Sequence, residues 1–111
     1  SHTLILKTDT AAERQALHQA ARELQDTLTM IERVRFPVIA AVQGGCVGAG
    51  LDLVAACDLR LAATGACFRI EEINIGMMAD LGSLQRLPRI LPEAVVRELA
   101  YLGTSLTAER A

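Results

Sequence analysis

Five acids fall in or beside the apolar central stretch of the chain: Asp52, Asp58, Glu71, Glu72 and Asp80. Just ahead of them stands a glycine cluster, Gly44-Gly45-Cys46-Val47-Gly48-Ala49-Gly50. Carboxyl groups move protons near neutral pH when an apolar setting raises their pKa from about 4. A glycine turn between a strand and a helix leaves backbone N–H groups free to hold negative charge. Acids close to such a turn point to proton transfer beside a carbonyl, with the N–H groups stabilising the enolate oxygen.

The glycine cluster has two other readings. The spacing Gly44, Gly48, Gly50 imitates the turn of short-chain dehydrogenases, in which the helix N-terminus holds a pyrophosphate. Against this, Asp52 puts a negative charge in the first turns of the same helix. The Tyr-x-x-x-Lys pair is absent, since Tyr101 is the one tyrosine and Ser105 stands four later. A dinucleotide fold would also place this strand at the start of the domain. In the structural reading the glycines let a strand and a helix pack closely.

Each acid also has a structural reading. Asp58 stands two residues before Arg60 and suits an ion pair or a turn cap. Alternation points one of Glu71 and Glu72 to solvent. Asp80 suits the cap of a following helix. Asp52, flanked by Leu51, Leu53 and Val54, has few polar neighbours. Burying it unpaired costs several kcal/mol or raises its pKa.

The elements that must position these residues alternate between strand and helix, which predicts α/β layering. A short strand is expected at Leu4–Leu6. Thr10 and Glu13 form a capping box, and Leu17, Ala21, Leu24, Leu28 and Ile31 follow at helical spacing, predicting a helix over 11–34. Pro37–Val42 is short and continuously apolar, the pattern of a strand buried on both faces. A helix follows near 48–57. Leu59–Ala63 and Cys67–Ile70 read as strands around a turn at Thr64-Gly65-Ala66. Glu71–Ala79 is loop-like. A short helix is expected over Asp80–Leu87, stopped before Pro88. A last one is expected over 92–102, with Pro92 in its first turn and Gly103 at its end. Thr107 is placed to cap a further helix.

Composition narrows the class. The chain has 111 residues, about one domain, with 51% hydrophobic and 22% charged residues. We expect residues 1–111 to form one partial core domain of a longer protein, since the start carries neither an initiator Met nor a signal peptide. The formal charge is −2, the basic residues are dispersed and only 3% are aromatic. Neither a nucleic-acid footprint nor a base-stacking platform is present. The run from Phe36 to Leu51 is shorter than the about 20 residues of a membrane span and holds four glycines. Cys46, Cys57 and Cys67 are odd in number and lack metal-ligand spacing, so we expect free, buried thiols and no metal site.

The segment Phe36-Pro37-Val38-Ile39-Ala40-Ala41-Val42-Gln43 leads through the glycine cluster to Leu51-Asp52-Leu53, and Ala56-Cys57-Asp58-Leu59-Arg60 follows. With Phe68-Arg69-Ile70-Glu71-Glu72-Ile73-Asn74-Ile75-Gly76 and Leu84-Gln85-Arg86-Leu87-Pro88, it resembles the enoyl-CoA hydratase/isomerase (crotonase) superfamily over about residues 25–111. Within it, the set Asp52, Glu72, Asp80 is similar to the dienoyl-CoA isomerase branch. Hydratases of the superfamily carry Glu where Asp52 stands and a small residue where Asp80 stands.

The resemblance implies a spiral of ββα units, of which this chain is the core segment. It implies isomerisation of 3,5-dienoyl-CoA to 2,4-dienoyl-CoA, with the Ala49 N–H in the oxyanion hole and Gly45, Gly48 and Met77 against the substrate. Glu72 takes the C2 proton, Asp80 delivers one at C6, and Asp52 is ancillary; the reverse assignment of Glu72 and Asp80 satisfies the same chemistry. We expect Leu51, Ile73, Ile75, Met77 and Met78 to supply the apolar setting, and Ala49, Glu72 and Asp80 to share a cavity. No separate cofactor is implied, because coenzyme A is part of the substrate. The full-length parent is expected to be a homotrimer or hexamer. It would be cytoplasmic in a bacterium, mitochondrial or peroxisomal in a eukaryote. The alternatives are an enoyl-CoA hydratase and a non-catalytic fragment of the fold.

Overall fold

The computed structural model describes residues 10–111. The expected strand at Leu4–Leu6 lies outside them. Helix α1 (Ala11–Arg33) starts as its sequence predicts. Thr10 Oγ1 accepts from the Glu13 N–H at 3.1 Å, and Glu13 Oε2 accepts from the Thr10 N–H at 3.0 Å. Each side chain thereby satisfies a donor that the first turn leaves without a helical partner. Of its apolar face only Leu28 is buried, while Leu24 stays 48% exposed.

Two small sheets follow. Strand β1 (Ile39–Val42) pairs in parallel with β3 (Leu59–Ala62), from Ile39↔Leu59 to Val42↔Ala62. Strand β2 (Gly45–Val47) pairs in parallel with β4 (Cys67–Arg69), and β5 (Leu106–Thr107) adds antiparallel to β4. So β3 and β4, neighbours across the Thr64–Ala66 turn, belong to different sheets. The expectation that β1 is buried on both faces does not hold. Ala40 and Val42 pack on the core, but Ile39 is 57% exposed. Among the described residues β1 has one neighbouring strand and a core on one side, so its other face stays open there.

Helix α2 (Ala49–Ala56) lies between the sheets in sequence and packs against α1. The expected loop at Glu71–Ala79 contains a 3₁₀ turn, Glu72–Ile75, closed by Gly76 in the left-handed region. The helix expected over Asp80–Leu87 shrinks to α3 (Ser83–Arg86), because Gly82 has φ +107° and cannot lie within a right-handed helix. The α-helix does stop before Pro88, as expected. The chain continues as a 3₁₀ turn, Leu87–Arg89, whose opening positions need no proline N–H. Helix α4 (Glu93–Leu102) has Pro92 as its N-cap and ends at left-handed Gly103, φ +62°. Thr107 pairs in β5, and its Oγ1 accepts from the Arg110 N–H at 3.3 Å, capping the last turn.

The core joins α2, β4, the Leu87–Arg89 turn and α4 through Leu51, Val54, Phe68, Ile70, Leu87 and Leu99. Cys46 is buried, whereas Cys57 and Cys67 are half-buried; all three are free thiols. No helix among the described residues is long and apolar enough to cross a membrane.

Apolar side chains also line the outside. Ile39, Leu59 and Leu61 are 57%, 56% and 64% exposed on the β1–β3 sheet, and Phe36 beside it is 66% exposed. Contiguous apolar surface of this kind drives association. The 111-residue chain alone is expected to self-associate. Sedimentation velocity showing a monodisperse monomer at micromolar concentration would contradict this.

Candidate active site

The glycine turn builds the first part of the site. The Gly48 N–H donates to the Arg69 carbonyl at 3.0 Å, tying the end of β2 to the end of β4. Gly48 then turns with φ +59°, which a side-chain-bearing residue rarely adopts. Its carbonyl accepts from the Leu51 and Asp52 N–H groups at 3.0 and 3.2 Å, starting α2. The Ala49 and Gly50 N–H groups precede those bonds, at positions with no helical acceptor. Ala49 is exposed, and so is Gly45 in β2. A Cβ placed on Gly48 would lie 3.7 Å from the Glu71 Cβ, so the helix start sits beside the segment that carries Glu72.

Asp52 lies in the first turn of α2 and is fully buried. The Ser83 hydroxyl donates to its Oδ1, while Oδ2 has no hydrogen-bond partner. Burial pushes its carboxyl above the usual range. Hydrogen bonding from Ser83 and the Arg86 charge oppose the rise, and the nearby Asp80 charge adds to it. Glu72 opens the 3₁₀ turn and is half-buried. Its carboxyl is raised too, first by burial and then by the charges of Asp52 and Asp80, against opposing backbone hydrogen bonds. The structure therefore brings these three acids within range of one another's charge.

The other two acids do structural work. Asp58 does not pair with Arg60. Its Oδ2 accepts from the Val38 N–H at 2.8 Å and fastens the start of β1. Arg60 instead donates to the Val54 and Cys57 carbonyls at the end of α2. Glu71 pairs with Arg69, 2.6 Å from its Nε. That leaves Glu72, of the adjacent pair, outside any ion pair shown by the structure.

Asp80 is exposed and lines a cleft of about 320 Å³ between α1 and the 80–89 segment. Its carbonyl accepts from Gln25 Nε2 at 2.6 Å. The expectation that Ala49, Glu72 and Asp80 share one cavity is not met by this cleft, whose walls include neither Ala49 nor Glu72. The bond from Gln25 ties the Asp80 segment to α1. The expected apolar wall is also incomplete. Leu51 is buried and Met77 half-buried, but Ile73, Ile75 and Met78 are 43%, 45% and 76% exposed. The backbone N–H of Met77 closes the turn on the Glu72 carbonyl at 2.8 Å.

Ser83, Gln25 and Arg86 are structural partners of the acids that the sequence does not single out. A lone serine after a glycine and a glutamine on an amphipathic helix carry no distinguishing signal. Their partners stand 31 and 55 residues away. Among the described residues no group of His, Cys, Asp and Glu is arranged to hold a metal ion. Chemically, Asp52 and Glu72 both hold their protons to higher pH than an ordinary carboxyl, through burial and neighbouring negative charge.

Comparison with known proteins finds the enoyl-CoA hydratase/isomerase family matched over residues 6–111. The chain belongs to that family. It is 48% identical over 88 residues to the mitochondrial Delta(3,5)-Delta(2,4)-dienoyl-CoA isomerase of Homo sapiens, covering 78% of this chain and 27% of that protein. It is 43% identical over 102 residues to the peroxisomal protein of the same name from Arabidopsis thaliana, covering 92% and 35%. Among solved structures, an enoyl-CoA hydratase from Polaromonas sp. JS666 superposes with a TM-score of 0.86 at 36% identity, over 98% of this chain and 42% of that one. The family's α/β crotonase fold is therefore the fold of this chain, which spans roughly a third of the length of these curated relatives.

The buried acid has a consequence for stability. Unfolded, Asp52 ionises at the ordinary carboxylate pKa; folded, its pKa is higher. Between the two values the folded state holds more protons, so stability falls as pH rises through that window. Glu72 contributes with the same sign. Asp52→Asn removes the charge with little change of shape. It is expected to raise the melting temperature at pH 8 relative to the unsubstituted family member, with the difference shrinking toward pH 4. Equal melting-temperature differences at both pH values would sink this account.

Proposed function

We propose that the protein carrying this chain isomerises 3,5-dienoyl-CoA to 2,4-dienoyl-CoA. The reading rests on the cluster of Asp52, Glu72 and Asp80, in which two carboxyls are raised by burial and by neighbouring negative charge. The names of the human and Arabidopsis relatives support it. Glu72, as carboxylate, takes a proton from C2. The electrons delocalise into a dienolate whose oxygen lies against the Ala49 N–H at the start of α2. Asp80, as carboxylic acid, gives a proton to C6, and the double bonds move to C2 and C4. Each turnover leaves the proton on Glu72 and the charge on Asp80, and exchange with water resets both. Asp80 is exposed, as that exchange requires.

Gly45, Gly48 and Met77 border the thioester in this reading, coenzyme A arrives as part of the substrate, and no further cofactor takes part. The exposed β1–β3 face suits burial in a larger homotrimer or hexamer. A eukaryotic owner would hold the enzyme in mitochondria or peroxisomes, a bacterial one in the cytoplasm. The test is to supply the whole protein with 3,5-dienoyl-CoA and follow formation of the conjugated 2,4-diene by absorbance. Hydration of a 2-enoyl-CoA without diene formation would assign it as a hydratase. No turnover of either would leave a non-catalytic member of the fold.

A further inference from the structure

Ser83 is 2% exposed and sits at the start of α3, directly after left-handed Gly82. Its hydroxyl has one proton to donate, and that proton goes to Asp52 Oδ1. Asp52 Oδ2 is left as the buried oxygen without a partner. The segment around Ser83 is held from the other side. Gln25 donates to the Asp80 carbonyl at 2.6 Å, and Arg86 Nη1 donates to the Leu81 carbonyl at 3.0 Å. Arg86 is itself fastened to α1 by Glu32 and Thr29. Asp80 and the residue that grips Asp52 are thus three positions apart on one strapped segment.

We propose that Ser83 is a positioning residue of the acid cluster: its hydroxyl fixes the Asp52 carboxyl through Oδ1, leaving Oδ2 as the oxygen on which that carboxyl carries its proton. Asp52 gains and loses its proton at Oδ2, and Ser83 keeps its own. The proposal rests on the isomerase reading for its kinetic consequences, but not for the bond itself. Burial and the Asp80 charge on the strapped segment raise Asp52, while the bonds from Ser83 and the Arg86 charge on α3 oppose them; Asp52 in turn raises Glu72 on the 3₁₀ turn and Cys46 on β2.

The experiment uses the whole enzyme. Ser83→Ala removes the donor that favours ionised Asp52, so Asp52 should ionise at higher pH and the alkaline limb of the kcat profile should move up. The kcat for 3,5-dienoyl-CoA is expected to fall about tenfold, the worth of one hydrogen bond to a charged group, with KM nearly unchanged. Ser83→Thr should restore both. In an Asp52→Asn background Ser83→Ala should have no further effect. If Ser83→Ala does not fold, Ser83→Cys keeps the volume with only a weak donor and carries the test. A second measurement needs no substrate. The infrared carbonyl band of protonated Asp52, assigned by its loss in Asp52→Asn, should persist to higher pH in Ser83→Ala. An unmoved band, or an equal kcat loss in both backgrounds, overturns the proposal. A moved band in a protein that never converts the diene overturns the isomerase reading and keeps Ser83 as the residue that positions Asp52.

Discussion

Asp80→Asn in the whole enzyme is expected to lower conversion of 3,5-dienoyl-CoA to 2,4-dienoyl-CoA by about 10²-fold or more, the usual worth of a general acid. The amide keeps the shape and removes the proton carrier. Acyl-CoA binding should persist, because the N–H groups at the start of α2 are untouched. Exchange of the C2 proton with solvent should persist as well, since Glu72 acts there in the proposed mechanism. The structure puts Asp80 on a segment of its own, tied to α1 by Gln25. It lines a cleft of about 320 Å³ that the glycine turn does not border. That separation suits an acid working at the far end of a conjugated system. Normal isomerisation by Asp80→Asn would make Asp80 a wall of the cleft and favour the hydratase alternative. The reciprocal variant, Glu72→Gln, should lose C2 exchange and isomerisation together. Deuterium incorporation at C2, measured by mass spectrometry, separates the two cases.

Gly82→Val should be the most damaging single change to the fold near the site. Gly82 has φ +107°, where a β-branched residue is strained by roughly 1–3 kcal/mol. An added Cβ would also lie 2.0 Å from Arg86 Nη1. The guanidinium would have to leave, giving up its bond to the Leu81 carbonyl and its pairing with Glu32. Those partly buried interactions add about 1–2 kcal/mol. The expected loss is therefore about 2–5 kcal/mol, read as a lower denaturation midpoint at unchanged slope in urea. Activity should fall further than the folded fraction does, because Asp80 and Ser83 flank the altered residue. A variant as stable and as active as its parent would show that Arg86 moves without cost and that the strap is dispensable.

Local chemistry was legible where it is carried by residues close in sequence. Thr10 and Glu13 meet within one turn, so their capping box follows from spacing alone. Gly48 and Gly103 end or begin elements because the backbone there needs the left-handed region. The alternation of strand and helix was enough for the α/β class, and the residue pattern from Phe36 to Pro88 was enough for the family. Five acids stood out in the apolar stretch, and the family resemblance singled out Asp52, Glu72 and Asp80 among them. What separates them from Asp58 and Glu71 is their partners: Asp58 is spent on the Val38 N–H and Glu71 on Arg69.

The tertiary structure alone decided the rest. It sends β3 and β4 to different sheets, although the four residues between them cannot show which strand each will pair with. It opens one face of β1, because the apolar run records hydrophobicity and not the number of neighbours. It shortens α3 through the backbone angle of Gly82, and it ties the Asp80 segment to α1 through Gln25. It also buries Asp52, which raises that carboxyl's pKa, and brings Ser83 against it, which opposes the rise. Side-chain type and spacing constrain the first few turns of a chain. The desolvation and charge that tune an acid depend on atoms brought in from tens of residues away.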